Sequence, residues 1–209
     1  MPIGPFIRRL FGPYETTVTD AWRSISIDID AYVDGVRNWV PSAERILEVG
    51  CGEGAVTERL VRVYPDAEII GIDVASNVGR LYAGPPGRAR FLKTTIEEFA
   101  VTSPGTFDLV VLADVLHHVP QDLRGSILDT IKGLLVPGGS LAFKEWERRF
   151  SPIHWFGYFS DRWITGDRIS YMNREEILER LIHSFGKSAI RDEDWIAPWR
   201  NNISILVRP

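Results

Sequence analysis

Cysteine, basic excess and long apolar runs are all scarce in this chain, and each scarcity removes a class of protein. Cys51 is the one cysteine in 209 residues, so an intrachain disulfide and a multi-cysteine metal centre are excluded. A reducing, cytoplasmic setting is expected. Lys and Arg number 24 against 28 Asp and Glu, for a formal charge of −4. With so little positive charge to neutralise phosphates, no nucleic acid is expected as partner. No apolar run approaches the ~20 residues needed to cross a bilayer, which argues against stable membrane insertion. Residues 1–14 carry Arg8 and Arg9 among apolar side chains but are broken by proline and glycine, so an export signal is not expected there. A lid or docked arm is the first reading of that stretch, and a weak membrane-surface contact the second.

The composition, 44% hydrophobic and 25% charged, is that of a chain that buries a core, and its length suits one domain with appendages. No internal repeat or low-complexity tract is visible. Residues 1–40 form the expected N-terminal helical lid or arm, with apolar positions from Trp22 to Val40 at three- and four-residue spacing. Residues 41–209 form the main domain. There, strands are expected at 45–50, 68–72, 89–93, 107–113 and 140–146. They alternate with helices at 55–63, shortly after Asn77, and at 121–135. A helix at 174–185 and strands near 187–192 and 203–208 follow. The expected fold is α/β: a doubly wound, Rossmann-like, mostly parallel sheet of seven strands with an antiparallel edge and helices on both faces.

The run Glu48-Val49-Gly50-Cys51-Gly52-Glu53-Gly54 falls where the first strand ends and the first helix of the alternation begins. Glycines there allow a tight turn and close approach of backbone N–H groups to a ligand. Asp73, ending the second strand, is placed to accept from both hydroxyls of a ribose. Gly50, Gly52 and Ala55 also satisfy the dinucleotide pattern. Glu48 is ill placed beside a pyrophosphate and suits a cationic amino group instead.

Residues 46–54 (ILEVGCGEG) resemble the first motif of class I S-adenosylmethionine-dependent methyltransferases. IIGIDVASN at 69–77, FDLVVLADVLHHVP at 107–120 and LLVPGGSLAFKEW at 134–146 resemble that family's later motifs in order. The resemblance implies S-adenosyl-L-methionine as cofactor. Glu48, Gly50, Cys51, Gly52 and Gly54 would line its methionine part, with Asp73 on the ribose and Val74 beside the adenine. Ala113 and Asp114 would sit beside the cofactor at the end of the fourth strand. Many relatives place an Asp after the third strand, toward the adenine amino group; this chain has Thr94-Thr95-Ile96, so Thr95 or the Ile96 backbone is the expected substitute.

Methyl transfer to a hydroxyl needs a base. His117 is the first candidate, on a likeness of Val115-Leu116-His117-His118 to plant-type small-molecule O-methyltransferases, and His118 the second; the plain alternative for each is a hydrogen-bonded helix-start histidine. Glu145 is a candidate to orient an acceptor amine or hydroxyl, with a solvated strand end as the alternative. The aromatic-rich stretch 148–172 reads as a wall of an apolar acceptor pocket, as core, or as a dimer contact. The expected activity is methyl transfer to a small, partly apolar or aromatic acceptor, with oxygen slightly favoured, by a monomer or homodimer. The competing readings are a cofactor-binding protein that transfers no methyl and a nicotinamide-dependent oxidoreductase. No metal is expected, because His117 and His118 lack an acidic triad at ligand spacing.

Overall fold

The computed structural model describes residues 27–149 and 170–209. The expected arm up to Ser26 and the heart of the aromatic stretch, including His154, Trp155 and Trp163, lie outside the described residues. Seven strands form one sheet in the order β3-β2-β1-β4-β5-β7-β6. They are β1 (Arg45–Val49), β2 (Glu68–Asp73), β3 (Ala89–Lys93), β4 (Phe107–Ala113), β5 (Leu135–Trp146), β6 (Ile190–Ile196) and β7 (Asn202–Val207). The first five run parallel, and β7 pairs antiparallel with both β5 and β6. The order reverses between β1 and β4, which opens a crevice at the carboxyl ends of those strands.

The helices α1 (Ile29–Trp39), α2 (Ala55–Val63), α3 (Ile96–Ala100), α4 (Arg124–Leu134) and α5 (Arg174–Phe185) cover the two faces. Side chains alternate across a strand, so one set (Ile46, Ile69, Leu109, Val111, Ala142) meets Tyr32, Val33 and Val36 of α1 and Leu60 and Val61 of α2. The opposite set (Leu47, Ile70, Val110, Leu112, Phe143) meets Leu128 and Ile131 of α4 and Ile177 and Leu181 of α5. Both faces of β4 are therefore dry, as its unbroken apolar run implies. Asp28 caps α1 by accepting from the Ala31 N–H at 2.9 Å.

The expected architecture holds, with local corrections. No helix follows Asn77: Gly79 sits at φ 68°, and a Cβ there would lie 2.4 Å from the Phe91 ring. That stretch is a string of turns. The chain enters β5 at Leu135, earlier than expected, because Leu135 pairs with Phe107 ahead of a register break that accommodates Pro137-Gly138-Gly139. An unexpected helix, α3, carries a capping box in which Thr95 accepts from the Glu98 N–H and the Glu98 carboxylate accepts from the Thr95 N–H; this is the Thr-x-x-Glu signature of a helix start.

Candidate functional site

The crevice is a cleft of about 1050 Å³. That volume lies at the upper end of single-ligand pockets, so it accommodates a nucleoside cofactor with a second small molecule beside it. Its wall includes Glu48, Gly50, Cys51 and Gly52 from the glycine turn, Asp73 and Val74 after β2, Thr95 and Ile96 at the start of α3, and Ala113 and Asp114 after β4. Of the expected cofactor residues only Gly54 is absent from it.

The glycines play different parts. A Cβ on Gly50 would strike the Val115 side chain at 2.3 Å, and one on Gly54 would press on Tyr82 and Phe91 at 3.0 and 3.3 Å. Packing thus explains both, and Gly54 lies off the cleft wall. Gly52 differs: at φ 52° its missing Cβ would have no protein atom within 4 Å, and it borders the cleft. It is the glycine whose side-chain space is open to a ligand.

The Asp73 carboxylate accepts from the Gly52 N–H through one oxygen and the Ala75 N–H through the other, each at 2.8 Å. The turn and the end of β2 are thereby locked together. Each carboxylate oxygen has a second lone pair, so the group remains able to receive a sugar diol. Thr95 engages its hydroxyl oxygen in capping α3, while the Ile96 N–H, at the first helical position, has no intrahelical acceptor. Val74 is 67% exposed where it borders the cleft, an apolar surface for a flat ring.

Glu48 points to the α1–α2 face, where Thr57 donates a hydrogen bond to its carboxylate. Burial pushes its pKa up to about 8, the Thr57 bond opposing and the Asp73 charge adding to the rise. A buried acid of this kind accepts a cation readily, because pairing relieves the cost of its charge. The Cys51 thiol is likewise pushed up by burial, which makes it a packing group and not a nucleophile. Tyr32 of α1, buried and facing Glu48 and Asp114, completes this side of the wall; nothing in the helical spacing distinguished it from core.

Lys144 and Glu145, adjacent on β5, part to opposite faces. Lys144 enters the cleft and pairs with Asp114. Glu145 turns to the α4–α5 face, where its two oxygens accept from the Leu116 N–H and meet His117 Nδ1, both at 2.6 Å. Glu145 is thus neither a solvated strand end nor part of the cleft wall. His117 is 5% exposed and stacks on Tyr171, ring centroids 5.1 Å apart. His118 is the exposed one and borders the cleft, its ring 4.1 Å from that of His117.

Asp114, His117 and Glu145 also present one ligand atom each within 4.8 Å of one another. The sequence hid this trio because Glu145 stands 28 positions from His117. In the structure the Lys144 ammonium engages Asp114, and a hydrogen bond joins the other two.

A switch-point cleft, an open glycine turn and a carboxylate ending β2 define a doubly wound protein built around a nucleoside-bearing ligand. Residues 47–141 match the family model described as a methyltransferase domain. The ubiquinone biosynthesis O-methyltransferase of Colwellia psychrerythraea is 37% identical over 103 residues, 47% of this chain and 40% of that protein. Its counterpart in Vibrio cholerae is 33% identical over 151 residues, 68% of this chain and 60% of that protein. The chain thus spans about half the length of these curated relatives. In fold, it is similar to 1,6-didemethyltoxoflavin-N1-methyltransferase of Burkholderia thailandensis, with a TM-score of 0.66 at 16% identity over 97% of this chain and 86% of that one. Residues 47–141 therefore carry a methyltransferase domain, on the fold shared by S-adenosylmethionine-dependent methyltransferases. No described helix is long and apolar enough to cross a membrane.

Proposed function

We propose that this protein transfers a methyl group from S-adenosylmethionine to an oxygen of a small, partly apolar acceptor. The observation that carries this reading is the Glu48–Gly52–Asp73 set: a desolvated acid, an open backbone edge and a fixed carboxylate in one cleft. When bound, the cofactor supplies an electrophilic methyl carbon on a sulfonium. Glu48 would take its amino group, Asp73 its ribose, and Val74 with Ile96 its adenine. The O-methyltransferase names of the curated relatives support oxygen as the acceptor atom. Nicotinamide chemistry fits less well, since Glu48 offers a pyrophosphate no positive partner and repels it once ionised.

The base is His118 in this reading, and the preference for His117 is withdrawn. His118 borders the cleft, whereas His117 is 5% exposed and stands off the cleft wall. Glu145 fixes His117, and His117 in turn supports the ring of His118, a positioning role. The test is transfer of labelled methyl to a panel of phenols. His118→Ala should lower kcat about 100-fold with S-adenosylhomocysteine affinity unchanged. A full-rate His118→Ala enzyme would remove the base assignment, and failure of the wild type to label any hydroxyl would count against oxygen transfer.

A further inference from the structure

Apart from His118, the cleft wall carries a single basic side chain among the described residues, Lys144, in company with several carboxylates. Its side chain is 1% exposed. Burial lowers its pKa, while Asp114 and, more weakly, Glu145 raise it again. The ion pair with Asp114 opposes the loss of charge that burial favours, and the Asp114 N–H ties the same two residues by donating to the Lys144 carbonyl at 2.9 Å. Asp114 itself is held at φ 57°, a conformation that non-glycine residues adopt rarely and chiefly at functional positions. Asp114 is the one hydrogen-bond partner of the ammonium among the described residues. Two of its three N–H donors remain to be satisfied, and the second Asp114 oxygen, Oδ1, is buried with no hydrogen-bond partner.

Position says what those donors await. The cofactor residues run from α3 through β2 and β1 to the end of β4, and Lys144 stands next, on the outermost parallel strand of that side, β5. Three strand spacings separate it from Asp73, about 14 Å at ~4.8 Å each. That is the far end of the cleft, past the methionine part and on the acceptor's side. An acid-rich wall holding one cation there is arranged for a positive cofactor next to a negative group.

We propose that Lys144 binds the ionised oxygen of a phenol or enol acceptor, which selects acidic hydroxyls as substrates; this rests on the methyl-transfer reading. The acceptor hydroxyl gives its proton to the His118 imidazole. Its oxygen bonds to the methyl carbon as the carbon–sulfur bond breaks, leaving the electron pair on sulfur. The methyl ether is neutral, so it loses its counter-ion, and Lys144 returns to Asp114. The titratable groups facing the bound oxygen are Asp114 from β4, Glu48 from β1, Tyr32 from α1 and His118, with Glu145 adjoining along β5. The carboxylates disfavour an anion and Tyr32 donates its proton to the Ala142 carbonyl, which leaves Lys144 as the standing cation that stabilises it.

The test needs no turnover. With S-adenosylhomocysteine binding first established by calorimetry, 4-nitrophenol is titrated with the saturated protein and its ionisation followed by absorbance across pH. Bound nitrophenol should ionise about one pH unit lower than free, a tenfold gain in phenolate. Lys144→Met should abolish the shift and Lys144→Arg should keep most of it, both with S-adenosylhomocysteine affinity within about threefold of wild type, which also shows that they fold. A shift that survives in Lys144→Met, or no bound nitrophenolate on the cofactor-loaded wild type, overturns the proposal. A wild type that binds no S-adenosylhomocysteine overturns the methyl-transfer reading with it.

Discussion

The two faces of the sheet handle buried charge in opposite ways where β4 and β5 end. On the α4–α5 face, Glu145 is satisfied by the Leu116 N–H and His117, and buried Arg124 donates to the Val119 and Ser170 carbonyls at 3.0 and 2.9 Å. On the α1–α2 face, Glu48 is driven toward its neutral form and Lys144 leans on a half-exposed Asp114 that leaves one oxygen unpaired. One side is a finished hydrogen-bond network that fixes a turn; the other is an unfinished set of charges that a ligand completes. Buried polar groups are expensive when unpartnered, so the incomplete face is where function resides.

Two changes sharpen that contrast, the larger first. Glu145→Ala leaves the Leu116 N–H and the His117 ring without their acceptor, and chemical denaturation should show a loss of about 3 kcal/mol. Glu48→Gln on the other face keeps the Thr57 bond and should cost little at neutral pH. Equal losses from the two substitutions would erase the distinction between the faces.

The second change is in pH. Glu48 is held protonated up to about 8 in the fold, against an ordinary value of 4.5. Between those limits the folded chain binds more protons than the unfolded one, so ligand-free stability should fall as pH rises through that window. The slope is at most about 1.4 kcal/mol per pH unit. Pairing with a cationic amino group restores the ionised form, so S-adenosylhomocysteine should bind more tightly from pH 6 to pH 8, and Glu48→Gln should flatten both trends. Melting curves and calorimetry over that range read them directly; a pH-independent affinity in the wild type would remove Glu48 from the cofactor site.

The doubly wound sheet was legible in the sequence because the central parallel strands are short, mostly apolar runs set off by turn residues and alternating with helical periods. The placement of the glycine turn beside Asp73 was legible for a similar reason: it is local, set by backbone geometry within one βαβ unit. What the sequence concealed depends on contacts between distant segments. Alternation put Lys144 and Glu145 on opposite faces, but only the packing shows that one face holds Asp114 and the other His117. Which of His117 and His118 borders the cleft was hidden because a single turn of 3-10 helix, Leu116–His118, has no hydrophobic period from which to read its facing. The capping box of α3 stood in the sequence, yet five residues give too little periodicity to announce a helix.

The central claim is that one cleft, closed at the ribose end by Asp73, holds the methyl donor. Isothermal titration of S-adenosylhomocysteine into wild type and Asp73→Ala tests it most directly. The account predicts saturable one-to-one binding by the wild type and an affinity at least about 100-fold weaker in Asp73→Ala, as expected when charge-assisted hydrogen bonds are removed. No heat with the wild type, or equal affinities for the two proteins, would contradict it.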